Sequence, residues 1–191
     1  IISIEGMLEK AAKVASDLQP WPNYFKSKAR EFKDVLHFCG FKKFGSILEI
    51  GCGNAFTSVL LSSMSEDVTA FDLPKKNPLS HSIGIDIAKE FIKRMGSKNI
   101  RIVGGSSTDI PFSDNHFDLI YSAYALHYMK DKDRALQEIR RILKRTGIVI
   151  MLLPNFVARI LTPFIKYKYV VARLLSYAFG FKDRAQAQVG H

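Results

Sequence analysis

Residues 47–50 are an apolar run broken only by Glu49, and Gly51, Cys52, Gly53, Asn54, Ala55 and Phe56 follow it directly. Glycine at such a turn lets the backbone approach a ligand that a Cβ would block. A helix starting just beyond it presents N–H groups to that ligand. A second apolar run, 68–71, ends in Asp72. This acid lies about twenty residues past the first glycine, the spacing at which a carboxylate accepts hydrogen bonds from ribose hydroxyls. Together these residues predict a site for an adenosine-containing cofactor. Phe56 stands where a dinucleotide fold wants its third glycine, which weighs against a pyrophosphate. Glu49 suits a cationic group better than a diphosphate, so a cofactor with an amino group and a sulfonium fits the setting.

Other reactive side chains offer less. Cys52 reads as a small polarisable packing residue under the loop, and Cys39 as part of a helix core. His37, His81, His116 and His191 show no metal-ligand spacing with one another or with either cysteine, so no metal is expected. His127 follows an apolar segment, 117–122, and is the candidate general base; a hydrogen-bonded structural histidine is the alternative.

The elements that must position these residues alternate along the chain. Helical spacing marks 4–18 and 24–39, separated by Pro20 and Pro22 and stopped by Gly40. A strand over 47–50, a helix over 55–64 and a strand over 68–72 follow. Residues 74–84 read as a loop, and a helix carrying Ala88, Phe91, Ile92 and Met95 on one face is closed by Gly96. Strands are expected over 100–103, 117–122 and 148–153. Between the last two, a helix over 131–145 has Asp131 as N-cap and Gly147 as its stop. Such alternation predicts an α/β fold: a doubly wound, mostly parallel Rossmann-like sheet with helices on both faces and the site at the carboxyl ends of its strands. The expected organisation is an N-terminal helical cap (1–40), a cofactor-binding domain (41–154) and a basic, aromatic helical segment (155–191).

In order and spacing, these blocks resemble the class I S-adenosylmethionine-dependent methyltransferases, most of all the small-molecule branch of ubiquinone and sugar pathways. Residues 47–62 look like the family's first motif, and Glu49 to Asp72 has the usual distance between its two acids. Residues 105–118, 122–128, the helix over 131–145 and Thr146-Gly147 match later blocks. The resemblance covers about residues 24–154 and implies S-adenosyl-L-methionine as cofactor, with S-adenosyl-L-homocysteine as product. It implies that Glu49, Gly51, Cys52 and Gly53 border the methionine part, that Asp72 holds the ribose, and that Leu73 packs against adenine. Ser106 and Ser107 fall at the adenine edge, and Ser122 and Ala123 near the amino-acid end. Two positions depart from the pattern. Ala55 replaces a glycine, and Ser106 replaces an acid and accepts without charge assistance; both predict weaker cofactor binding.

The chain has 191 residues, 47% hydrophobic and 24% charged, which excludes a disordered, collagen-like or disulfide-scaffold protein. Its net charge of +10 favours anionic partners without choosing among them. Much of that charge lies in 155–191, where Arg159, Lys166, Lys168, Arg173, Lys182 and Arg184 meet only Asp183. The segment suits an acceptor cap, and its 155–182 part also suits a membrane or lipid surface; a nucleic-acid patch is the third reading. No apolar run approaches a membrane span and no signal peptide is visible; Cys39 and Cys52 make no disulfide framework and suit a reducing cytoplasm, the expected location. The start at Ile1 and the missing pattern for a sixth and seventh strand are expected to reflect a chain cut at both ends. The expected reaction is methyl transfer to an oxygen or nitrogen of a small molecule, sugar or lipid-linked metabolite. The rival readings are an RNA-modifying methyltransferase, a non-catalytic binding module and a nicotinamide oxidoreductase, against which Phe56 argues.

Overall fold

The computed structural model describes residues 4–19, 22–40, 42–75 and 85–153. Five parallel strands form its centre: β1 (Ile47–Ile50), β2 (Val68–Asp72), β3 (Ile100–Gly104), β4 (Phe117–Ala123) and β5 (Leu143–Leu152). They lie in the order β3-β2-β1-β4-β5. The chain winds outward from β1 through β2 to β3, then crosses to β4 on the other side. The order therefore reverses between β1 and β4, where a doubly wound sheet holds its ligands.

Side chains alternate across the sheet, and the alternation decides what each strand offers the site. Leu48, Ile50, Phe71 and Ile120 face one layer with Ile139 and Ile142 of α5 (Lys132–Ile142). Ile47, Val68, Ala70, Leu119 and Tyr121 face the opposite layer. That layer holds α1 (Ile4–Leu18), α2 (Pro22–Phe38), α3 (Phe56–Leu61) and α4 (Asp86–Met95). Phe25 of α2, Phe56 of α3 and Phe91 of α4 stack in sequence, with ring centroids 5.2 and 6.1 Å apart. Glu49, between Leu48 and Ile50, thus points into the layer that α2 and α3 cover.

Local signals end several elements where expected. Asp131 caps α5 by accepting from the Arg134 N–H at 2.9 Å. Gly96 closes α4 in the left-handed conformation, φ 72°, donating to the Ile92 and Lys93 carbonyls. The helix expected over 131–145 is shorter. It ends at Ile142, and Gly147 lies inside β5 rather than at a helix stop. The cause is a competing set of partners: the Arg141 and Ile142 carbonyls accept from the N–H groups of Asn115 and His116, at 2.9 and 2.8 Å. Those bonds draw the chain into pairing at once, and Leu143 lies opposite Phe117. The helix expected over 55–64 likewise covers only Phe56–Leu61. The loop expected over 74–84 and the basic segment 155–191 fall largely or wholly outside the described residues.

Candidate functional site

The carboxyl ends of β1, β2 and β4 bring most of the candidate residues to one edge of the sheet. The turn after β1 is built by glycine conformation. Gly51 has φ 77° and Gly53 has φ 54°, both in the left-handed region that favours glycine. Their surroundings differ. A Cβ on Gly51 would stand 2.3 Å from the Ala125 Cβ, whereas a Cβ on Gly53 would meet nothing within 4 Å. Gly51 thus lets the segment after β4 pack onto the turn, and Gly53 leaves open space beside it.

Asp72 ties the turn to β2. One carboxylate oxygen accepts the Gly53 N–H at 2.7 Å and the other accepts the Leu73 N–H, also at 2.7 Å. Its backbone carbonyl accepts the Gly105 N–H at 3.0 Å, which brings the end of β3 alongside. Asn54 works in two directions. Its side-chain oxygen accepts the Phe56 N–H at 3.1 Å and starts α3, while its amide donates to Gln19, just after α1, at 2.9 Å.

Glu49 is the buried acid of the site, 2% exposed, and the Ser58 hydroxyl of α3 donates to it. Burial pushes its carboxyl up to about 8; the Ser58 hydrogen bond and the Lys28 charge offset only part of that shift. Cys52 is buried, and burial holds its thiol well above the ordinary range, so the thiolate needed for nucleophilic chemistry is suppressed.

The hydroxyls at the edge have local duties. Ser122 is buried and donates to the Ile50 carbonyl at 3.0 Å, pinning the end of β4 to the end of β1. The Ser106 hydroxyl is 2.7 Å from that of Thr108 and accepts the Thr108 N–H at 3.3 Å. Ser107, Leu73 and Ala123 are half-buried beside them. Ala55 is in the left-handed conformation, φ 60°, and its methyl is fully buried in the core layer of α1–α4, away from the open side of the turn. His127 is exposed on a 3₁₀ turn, Leu126–Tyr128, beyond the end of β4, with its ring 3.8 Å from that of Tyr128.

Two charged residues bear no mark in the sequence of where they lie. Lys28 and Glu31 of α2 are both buried, and the ammonium donates to the carboxylate at 3.1 Å. Their i, i+3 spacing is that of an ordinary surface pair, so no local signal distinguishes them.

An open parallel sheet with a glycine turn, a capped acid on the next strand and a reversal of strand order beside them defines the Rossmann-like class of nucleotide-cofactor folds. Residues 48–151 match the sequence profile of the methyltransferase-domain family. The chain belongs to that family, and within it to the class I S-adenosylmethionine-dependent methyltransferases. It is 30% identical, over 53% of its length and 37% of the relative's, to the uncharacterized methyltransferase YcgJ of Bacillus subtilis. It is also 30% identical to the demethylmenaquinone methyltransferase of Staphylococcus carnosus, over 63% of this chain and 47% of that one. The matched region thus spans less than half of either relative. The YcgJ crystal structure superposes with a TM-score of 0.53 at 27% identity, covering 59% of this chain and 45% of that one. A methyltransferase from Aquifex aeolicus, 22% identical over 69% of this chain and 77% of its own, shares the fold with a TM-score of 0.56.

Proposed function

We propose that this chain binds S-adenosyl-L-methionine at the carboxyl edge of β1, β2 and β4 and transfers its methyl group to a small-molecule acceptor. The observation that carries the reading is the pairing of two carboxyls across one glycine turn. Asp72 is held at the turn by two backbone N–H groups, and Glu49 is buried on the strand leading into it. The residues present suit the cofactor: Gly53 leaves space, the Ala55 methyl turns into the core, and acids stand at two places for a ribose diol and an ammonium.

When bound, the cofactor supplies a sulfonium methyl, an electrophile that needs an aligned acceptor and a dry site. Asp72 would accept from the ribose hydroxyls, with Leu73, Ser106 and Ser107 beside the base. Glu49, Gly51, Cys52 and Gly53 would border the methionine part, with the backbone of Ser122 and Ala123 near its amino-acid end. Ser106 stays acceptor-capable through its second lone pair, without the charge an acid would bring. The His127 imidazole, exposed just beyond the end of β4, would take the proton from an oxygen acceptor. The name of the Staphylococcus carnosus relative supports a small, quinone-like acceptor for the same fold.

The test is calorimetric titration with S-adenosylmethionine and S-adenosylhomocysteine beside the Asp72→Ala variant. Wild type is expected to bind, and the variant to bind about 10- to 100-fold more weakly, as for a lost charged hydrogen bond. Absence of binding by wild type at millimolar ligand would refute the proposal.

A further inference from the structure

The turn after β1 alternates into the left-handed region three times, at Gly51, Gly53 and Ala55, with φ 77°, 54° and 60°. The two glycines take that conformation freely. Ala55 does not, because its Cβ crowds the following carbonyl oxygen. A residue held in this way persists only where its surroundings over-determine it. Asn54, between Gly53 and Ala55, supplies the restraint. Its side-chain oxygen accepts the Phe56 N–H at 3.1 Å, which fixes the orientation of the amide. The amide nitrogen then donates to the Gln19 side-chain oxygen at 2.9 Å, a partner 35 positions earlier in the chain. Gln19 is 8% exposed, and its own N–H donates to the Ala15 carbonyl at 2.9 Å, so it extends the last turn of α1. Helix α1 is itself seated by Leu8, Ala11 and Ala15, all buried, and by Lys10, whose ammonium donates to the Met95 carbonyl at the end of α4 at 3.1 Å.

A helix that precedes the sheet is thus tied, through a buried side-chain amide, to the one turn whose open side faces a ligand. We propose that Gln19 is a positioning residue of that turn: by holding the Asn54 amide it keeps Gly53 and Ala55 left-handed, so that docking of α1 and binding at the turn favour one another. The coupling is reciprocal, as any linkage between two equilibria must be. The inference rests on the proposed cofactor site. It also accounts for Ala55, since the restraint from α1 replaces the conformational freedom that a glycine would bring there.

The 191-residue chain is titrated calorimetrically with S-adenosylhomocysteine. Gln19→Leu keeps the bulk and removes the acceptor, whereas Gln19→Glu keeps an acceptor for the Asn54 amide. Ala55→Gly removes the strain that the contact offsets. Gln19→Leu is expected to bind about 10-fold more weakly than wild type, and Gln19→Glu within about 3-fold of it. On the Ala55→Gly background, Gln19→Leu is expected to cost less than about 3-fold. Equal losses for the Leu and Glu variants, or an undiminished loss on the Ala55→Gly background, would make Gln19 a support of the fold and overturn the assignment, as would an unchanged affinity in Gln19→Leu. Hydrogen exchange of wild type decides the matter should Gln19→Leu not fold. S-adenosylhomocysteine is expected to slow the amides of α1 more than those of α5, which packs on the opposite face of the sheet. Equal slowing in both helices, or none in α1, would overturn the coupling and leave the cofactor site standing. Wild type that binds no S-adenosylhomocysteine would overturn the cofactor site, and the role of Gln19 with it.

Discussion

Replacing Glu49 by Gln tests whether the site holds a neutral acid in the free protein. The carboxyl is buried, accepts from Ser58 and has its pKa pushed up to about 8 by burial, against an ordinary 4.5. Between those two values the unfolded chain has released the proton while the folded chain still holds it. The stabilising contribution of the protonated acid is fully present below pH 4.5, declines as pH rises, and is gone above about 8. Each pH unit in that window removes up to about 1.4 kcal/mol, which accumulates to on the order of 3–5 kcal/mol. A penalty of that size is a large fraction of a domain's usual 5–15 kcal/mol, roughly. Glutamine keeps the shape and still accepts from Ser58 but does not titrate. The assay is urea unfolding of both proteins at intervals from pH 5 to pH 9. The variant is expected to gain on wild type steadily across the window, with no further gain above it. The histidines common to both proteins cancel in the difference. A difference that stays flat from pH 5 to pH 8 would show that Glu49 is ionised throughout, and the account of its burial would be wrong. Calorimetry in two buffers of different ionisation enthalpy reads the same proton directly. At pH 7, wild type is expected to release close to one proton on binding S-adenosylhomocysteine, and Glu49→Gln none.

Gly51 and Gly53 should separate cleanly although they are two residues apart. Gly51→Ala collides with Ala125 as well as straining φ, and is expected to cost about 3 kcal/mol or more in urea unfolding, with partial recovery when Ala125 becomes Gly. Gly53→Ala should cost only about 1–2 kcal/mol of conformational strain, yet abolish measurable cofactor binding because its methyl fills the open side of the turn. Arg141 clamps the segment after β3 by donating to the Ile110 and Phe112 carbonyls at 2.9 and 2.6 Å and to Asp114 and Glu138. Arg141→Ala is expected to lower stability by about 2–4 kcal/mol. Its hydrogen bonds hold the Glu138 carboxyl down at about 2, against an ordinary 4.5. The Glu138 contribution is therefore present above pH 4.5 and lost as pH falls towards 2, so the stability gap between wild type and Arg141→Ala should narrow at low pH to what the bonds to the Ile110 and Phe112 carbonyls contribute.

What could be read from the chain alone is what short-range physics writes into it. Asp131 and Gly96 cap their helices because a side-chain oxygen or a left-handed residue satisfies orphan backbone groups within a few positions. The glycine turn and Asp72 were legible because spacing along two adjacent strands is itself a sequence distance, and parallel pairing sets Ile50 beside Phe71, one residue before that acid. The sites the sequence hid are those where partners come from remote segments. Asn115 and His116 take the carbonyls that would have continued α5, so the helix ends at Ile142 although its pattern runs on. Ser122 spends its hydroxyl on the Ile50 carbonyl, a partner 72 positions away that no local pattern marks. Lys28 and Glu31 have the spacing of a solvated helix pair, and only the packing of α2 into the core layer over the sheet, with Lys28 against the Tyr124 ring, takes them out of water. Local hydrogen bonding and periodicity are properties of neighbouring residues and survive in a one-dimensional reading. Burial belongs to the surfaces that meet, and here it decides which charges sit in the site and in what protonation state.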